Sequence, residues 1–164
     1  MLLDIKKIFS GYDTVKRREA VFDFSNERFD ACTIVSPVTF IVTTRLEGEA
    51  VRLTIEGNVT VEAECARCLK PVKQVIPVFR EAFIQEDGMH AGEEDLPYAP
   101  DGRLDLYELC FTELVLAIPT ILLCSEDCQG ICPVCGKERS LGCACKEQEI
   151  DDRLAILSQL LTDE

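Results

Sequence analysis

Six cysteines crowd into one stretch, "CSEDCQGICPVCGKERSLGCAC", from Cys124 to Cys145, in a chain that holds ten. Their spacing is C-x3-C-x3-C-x2-C-x7-C-x-C. Thiols packed this densely are bridged to each other, hold iron, run redox chemistry or clamp a metal ion. The strongest local signal is "CPVCG", Cys132 to Gly136. A C-x2-C with Pro after the first thiol and Gly after the second makes a tight knuckle. Its backbone N–H groups point at the sulfurs, and Gly136 supplies the permissive backbone.

Tetrahedral zinc takes four ligands, so the six thiols Cys124, Cys128, Cys132, Cys135, Cys143 and Cys145 overfill one site. A second pair, Cys65 and Cys68 in "CARC", lies at a turn between two predicted strands. Eight thiols suffice for two four-thiolate zinc sites. The spacing does not dictate the sharing. One arrangement keeps a zinc ion within Cys124–Cys145; another pins the tail to the sheet through Cys65 and Cys68; a single zinc ion with spare thiols is a third. An iron–sulfur cluster fits less well, because the ferredoxin runs are spaced differently. A redox C-x-x-C wants a helix N-terminus, and "CARC" has strands on both sides. A catalytic zinc ion keeps one position open and commonly uses His or carboxylate. The only histidine is His90, in a segment that reads as a solvated loop. Structural zinc is therefore the expectation, in a ribbon too small to fold without it. Cys110, at helical spacing among apolar residues, and the isolated Cys32 read as small core residues.

The elements that must position these thiols are strands first and helices second. "REAVFDFS" (18–25), "VTFIVTTRLEG" (38–48) and "AVRLTIEGNVTVEAEC" (50–65) are rich in β-branched and aromatic residues. "EGEA" between the last two predicts a hairpin, and Gly57-Asn58 predicts a bulge or bend in a curved sheet. "VKQVIPVFREAFI" (72–84) predicts another strand, with Pro77 marking it as edge or bulged. "LDLYELCFTELVLAIP" (104–119) predicts a helix capped by Asp105, with Glu108 completing a D-x-x-E box and Pro119 ending it. "EIDDRLAILSQLL" (149–161) predicts a last helix. The fold class is thus α+β: a curved antiparallel sheet packed by a helix over 1–119, and a zinc ribbon with a terminal helix over 120–164. The two segments are expected to form one integrated domain.

Charge narrows the function. The 164 residues carry 30 acids and 17 bases, a formal charge of -13. Two metal-loaded four-thiolate sites would each make the chain more negative by about two units. Such a surface repels phosphate backbones and attracts basic partners. Residues 85–102 form an acidic, Gly- and Pro-rich loop that offers one docking surface. Lys16, Arg17 and Arg18, the densest basic cluster, read as a solvated strand end. The N-terminal residues show no signal-peptide core, and the most apolar run, Leu114 to Cys124, is too short to span a membrane. A cytoplasmic setting, with reduced thiols, is expected. There is no phosphate-binding glycine loop, no H-E-x-x-H and no nucleophile elbow.

The chain resembles the large ribosomal RNA subunit accumulation family, YceD. "CARCLKPV" followed by "FREAF", then "DLYELCFTELVLAIPTILLC", "CSEDCQGICPVCG", "CAC" and "DDRLAILSQL" occur in the family's order over residues 64–161. "KERS" departs from the pattern, and the first sixty residues fit by strand pattern alone. The resemblance implies a non-enzymatic protein needed for normal levels of 23S ribosomal RNA, with no small-molecule substrate. Joined to the charge, it points to a basic large-subunit ribosomal protein or assembly factor as partner. Direct contact with pre-23S rRNA through Lys70, Lys73, Arg80, Lys137 and Arg139 is the alternative, and a thiol sensor at Cys65 and Cys68 is a third.

Overall fold

The computed structural model describes residues 1–11, 15–27, 29, 32–85, 96–97 and 103–145. Seven strands and two α-helices occur among them: β1 (Leu2–Leu3), α1 (Lys6–Phe9), β2 (Val15–Phe22), β3 (Thr33–Ile34), β4 (Val38–Glu47), β5 (Ala50–Glu64), β6 (Pro71–Gln85), β7 (Leu104–Asp105) and α2 (Leu106–Ala117). The predicted last helix, His90 and most of the acidic loop lie outside the described residues.

β5 is the spine of an antiparallel five-stranded sheet. Its whole length pairs with β6, from Ala50↔Gln85 to Glu64↔Pro71. On its other edge β4 pairs with residues 50–57, and β3 takes over at Val61 and Glu62. β2 pairs outside β4. The β4–β5 hairpin is the one that "EGEA" predicts. Gly57-Asn58 is not a bulge: the β5–β6 register runs through it without a slip. The glycine has a packing reason instead. A Cβ at Gly57 would lie 2.6 Å from the Phe40 ring, which faces it across the β4–β5 pair. Asn58 marks the point where β5 loses β4 as neighbour. Pro77 sits in β6 opposite Asn58, and β6 is an edge strand among the described residues, without a bulge. An edge strand tolerates a proline, because a missing N–H costs no ladder bond on the side without a neighbour.

Alternation sends Val51, Leu53, Ile55, Val59 and Val61 of β5 to one face, where they are buried. Helix α2 covers this face with Leu106, Leu109, Cys110 and Leu114. Each such Val, Leu or Ile side chain, fully buried, contributes about 1.5–3 kcal/mol. An aromatic cluster joins helix to sheet. Tyr107 meets Phe22 edge-on at 5.5 Å, and Phe24 lies 6.0 Å from Phe111. The Tyr107 hydroxyl donates to Glu27 at 2.8 Å, and this carboxylate holds its proton above the usual phenol range. Cys110 is fully buried, as its helical spacing implies, and burial pushes its thiol up to about 12. Cys32 is half-buried against the same core.

Asp105 caps α2, but only half of the expected box forms. Its carboxylate accepts from the Tyr107 N–H at 3.0 Å. Its own N–H donates to the Pro97 carbonyl at 2.9 Å, so Glu108 has no cap N–H to bond. The short β1–β7 pair, which holds Met1–Leu3 against the start of α2, left no mark in the sequence pattern: two-residue strands are too brief for periodicity.

Candidate metal centres

The turn between β5 and β6 is Cys65 to Lys70. It closes when the Cys65 N–H donates to Lys70 O at 2.8 Å and the Leu69 N–H donates to Cys65 O at 2.9 Å. The stretch Cys132 to Lys137 repeats it. There the Cys132 N–H donates to Lys137 O at 2.7 Å and the Gly136 N–H to Cys132 O at 2.8 Å. The fifth residue is left-handed in both, Leu69 at φ 62° and Gly136 at φ 69°. "CARCLK" and "CPVCGK" are thus one knuckle built twice.

In each knuckle the backbone aims N–H groups at the first thiol. Burial opposes the charged form of Cys65, but the N–H groups of Arg67, Cys124 and Cys68 outweigh it and hold the thiol down at about 6. At Cys132 the N–H groups of Cys135 and Val134 lead, and that thiol also falls to about 6. Cys145 and Cys68 are pushed the other way. Cys135 pushes Cys145 up to about 12. At Cys68 the Lys70 N–H favours the thiolate, yet burial and the crowding of Cys65, Cys124 and Cys128 prevail and raise it to about 12. One preorganised thiolate among crowded thiols is the state a divalent cation resolves, since it binds all four deprotonated.

The eight thiols fall into two groups. Cys65, Cys68, Cys124 and Cys128 form one, and Cys132, Cys135, Cys143 and Cys145 the other; within each group all the sulfurs lie within 4.8 Å of one another. In the first group Cys65 and Cys128 sulfurs are 3.8 Å apart, and those of Cys68 and Cys124 are 3.5 Å apart. A tetrahedron with metal–sulfur bonds of about 2.3 Å has sulfurs about 3.8 Å apart. The spacing is far too long for a disulfide. It is also too tight for a cluster that must admit inorganic sulfides between its irons. Each group suits one mononuclear ion. The geometry groups the thiols in one of the ways that the spacing allows: Cys65 and Cys68 lie with Cys124 and Cys128 of the tail, and the other four lie together within the ribbon.

The first centre is fastened by more than sulfur. Ala66 N–H donates to Leu122 O at 2.9 Å, and Ile131 N–H to Arg67 O at 3.1 Å. Arg67 Nη1 donates to Cys128 O at 2.9 Å. Gly130 lies so close to the knuckle that a Cβ on it would be 3.0 Å from Arg67 O. Lys70 pairs with Glu138 at 2.7 Å, which raises the Lys70 pKa and lowers that of Glu138. Cys65, Cys68 and Cys128 make a small buried cluster with Val72 and Leu123 packed on it.

Fold and site together define an α+β protein with two four-cysteine knuckle groups, each of which could hold a metal ion. The family model described as large ribosomal RNA subunit accumulation protein YceD matches residues 51–161, and the chain belongs to this family. Uncharacterized proteins of Mycobacterium bovis and Mycobacterium tuberculosis are 29% identical to it over 126 residues, or 73% of this chain. The chain spans 61% of the length of these curated relatives. No solved structure matches the chain.

Proposed function

We propose that the protein is a non-enzymatic zinc-binding factor that supports accumulation of 23S rRNA and the large ribosomal subunit by holding a basic ribosomal or assembly protein. The family supplies the ribosomal role. It is not known as an enzyme family, and a four-thiolate centre, once it holds its ion, leaves no open position for a catalytic water. Zinc is the metal of choice because four thiolates in a tetrahedron, in a reducing cytoplasm, suit a soft-accepting ion with no redox chemistry. The ribbon and the sheet would act as one unit, a reading supported by the grouping of Cys65 and Cys68 with Cys124 and Cys128.

The observation that carries the choice of a protein partner over RNA is charge: 30 acids against 17 bases. Local bases do not offset it. Of the five that an RNA contact would use, Lys70 is paired with Glu138, Lys73 with Glu62 at 2.9 Å, and Arg80 with Glu113 at 3.6 Å. A thiol sensor at Cys65 and Cys68 is disfavoured because both sulfurs are buried. The test is affinity purification from growing cells with and without ribonuclease. A basic large-subunit or assembly protein should remain bound after digestion. Partners that all vanish with the RNA, together with binding of purified protein to rRNA fragments at physiological salt, would establish direct RNA contact instead.

A further inference from the structure

The two centres share a knuckle but not a setting. Opening the first would separate elements far apart in sequence, Cys65 from Cys128, and strip the cover from Val72 and Leu123. It would also break the bonds from Ala66, Ile131 and Arg67. The second centre closes entirely within Cys132–Cys145. Cys135 is exposed and Cys143 and Cys145 are half-buried; only Cys132 is buried. Among the described residues, none from Cys132 to Cys145 belongs to a hydrophobic cluster. Opening this centre therefore uncovers no core, and local opening is cheapest where few apolar contacts are lost.

We infer that the Cys132–Cys135–Cys143–Cys145 centre is an exchangeable soft-metal site, while the Cys65–Cys68–Cys124–Cys128 centre is permanent. The inference rests on the metal-binding part of the proposed function. Exchange proceeds by ligand substitution. An incoming thiolate or chelator adds to the ion as an exposed sulfur leaves, so no electrons move. The released cysteine sulfur takes up a proton from water. Zinc, cadmium and copper(I) are the class of ions that four thiolates accept. Cys124 of the first centre is also exposed. Losing that one sulfur leaves three buried ones holding the ion, so attack there does not release it.

The experiment uses the full reduced chain loaded with zinc. An excess of the chromogenic chelator 4-(2-pyridylazo)resorcinol is added, release is followed by the absorbance of its zinc complex, and the retained metal is counted by native mass spectrometry. One equivalent should leave at least about tenfold faster than the other, as expected where opening costs differ between cooperative units. Far-UV circular dichroism should be unchanged after the fast phase. The C143S/C145S variant should lack the fast phase and keep the slow one. Because it disturbs only the ribbon, it also serves where a Cys65 or Cys68 variant fails to fold. Release of both equivalents in one phase, or a fast phase that survives in C143S/C145S, overturns the inference and leaves metal binding intact. A reduced chain that binds no zinc overturns both.

Discussion

The knuckles Cys65–Lys70 and Cys132–Lys137 have the same closing hydrogen bonds and the same left-handed fifth residue, yet one is the turn of the longest hairpin and the other stands on a ribbon. The difference teaches that a C-x-x-C knuckle encodes its own geometry and nothing about its consequence. What the metal holds together is decided by where the other two thiols come from. For the first knuckle they come from beyond α2, so an ion bound there would be a tertiary cross-link. For the second they come from the stretch that follows, so an ion bound there would close a local loop.

Removing each pair of knuckle thiols tests this most strongly. C65S/C68S should lose one zinc equivalent and free the ribbon from the sheet, seen as a large gain in amide exchange over residues 122–131. C132S/C135S should also lose one equivalent but leave exchange in β4, β5 and β6 unchanged. If the second variant melted the sheet as well, the ribbon would be part of the core and the contrast between the centres would fail.

The contrast was only half legible in the sequence. The four long strands, the β4–β5 hairpin, the edge character of β6 and the Asp105 cap follow from alternation, turn chemistry and capping, which act over a few residues; the two-residue strands β1, β3 and β7 do not. Cys110 was legible as core for the same reason. The pairing of thiols was not, because spacing fixes neighbours along the chain while the partners of Cys65 and Cys68 lie across the fold. Gly57 misled because a glycine in a strand has two common meanings, a bulge or a close approach, and Phe40 decides between them only in three dimensions.

A second, smaller test uses the ribbon's glycines. Gly130 and Gly136 both have positive φ, 73° and 69°. A Cβ at Gly136 meets nothing within 4 Å, whereas one at Gly130 presses on Arg67 O at 3.0 Å. Gly136→Ala should therefore cost only the left-handed strain, about 1 kcal/mol. Gly130→Ala should cost about 2–3 kcal/mol, since crowding against backbone adds to it. Chemical denaturation of the zinc-loaded variants reads both. Equal losses would mean that the ribbon does not bear on the first knuckle at all.

Arg67→Ala comes next. It takes the donor from Cys128 O, a group beside the first centre with no equivalent at the second. Leaving a carbonyl unpaired there should cost about 1 kcal/mol. The metal count should not change, because no ligand is lost. The variant thus separates the hydrogen-bonded fastening from the metal: if its zinc release accelerated to the rate of the ribbon centre, the fastening would account for most of the first centre's permanence.

The smallest expected effect lies at the fifth knuckle position, where the two copies differ in sequence but not in backbone. Leu69 adopts φ 62° with 59% of its surface exposed, while its counterpart is glycine. A left-handed leucine is strained by about 1 kcal/mol or somewhat more. Leu69→Gly relieves that strain, but glycine gives the unfolded chain more freedom, which returns about 0.5–1 kcal/mol. The thermal midpoint of the zinc-loaded protein should therefore stay level or rise slightly. A clear fall in the isolated protein would mean that the leucine side chain holds the knuckle by contacts within the chain. Unchanged stability with weaker capture of the proposed basic partner would instead mean that the exposed, strained leucine serves in that contact.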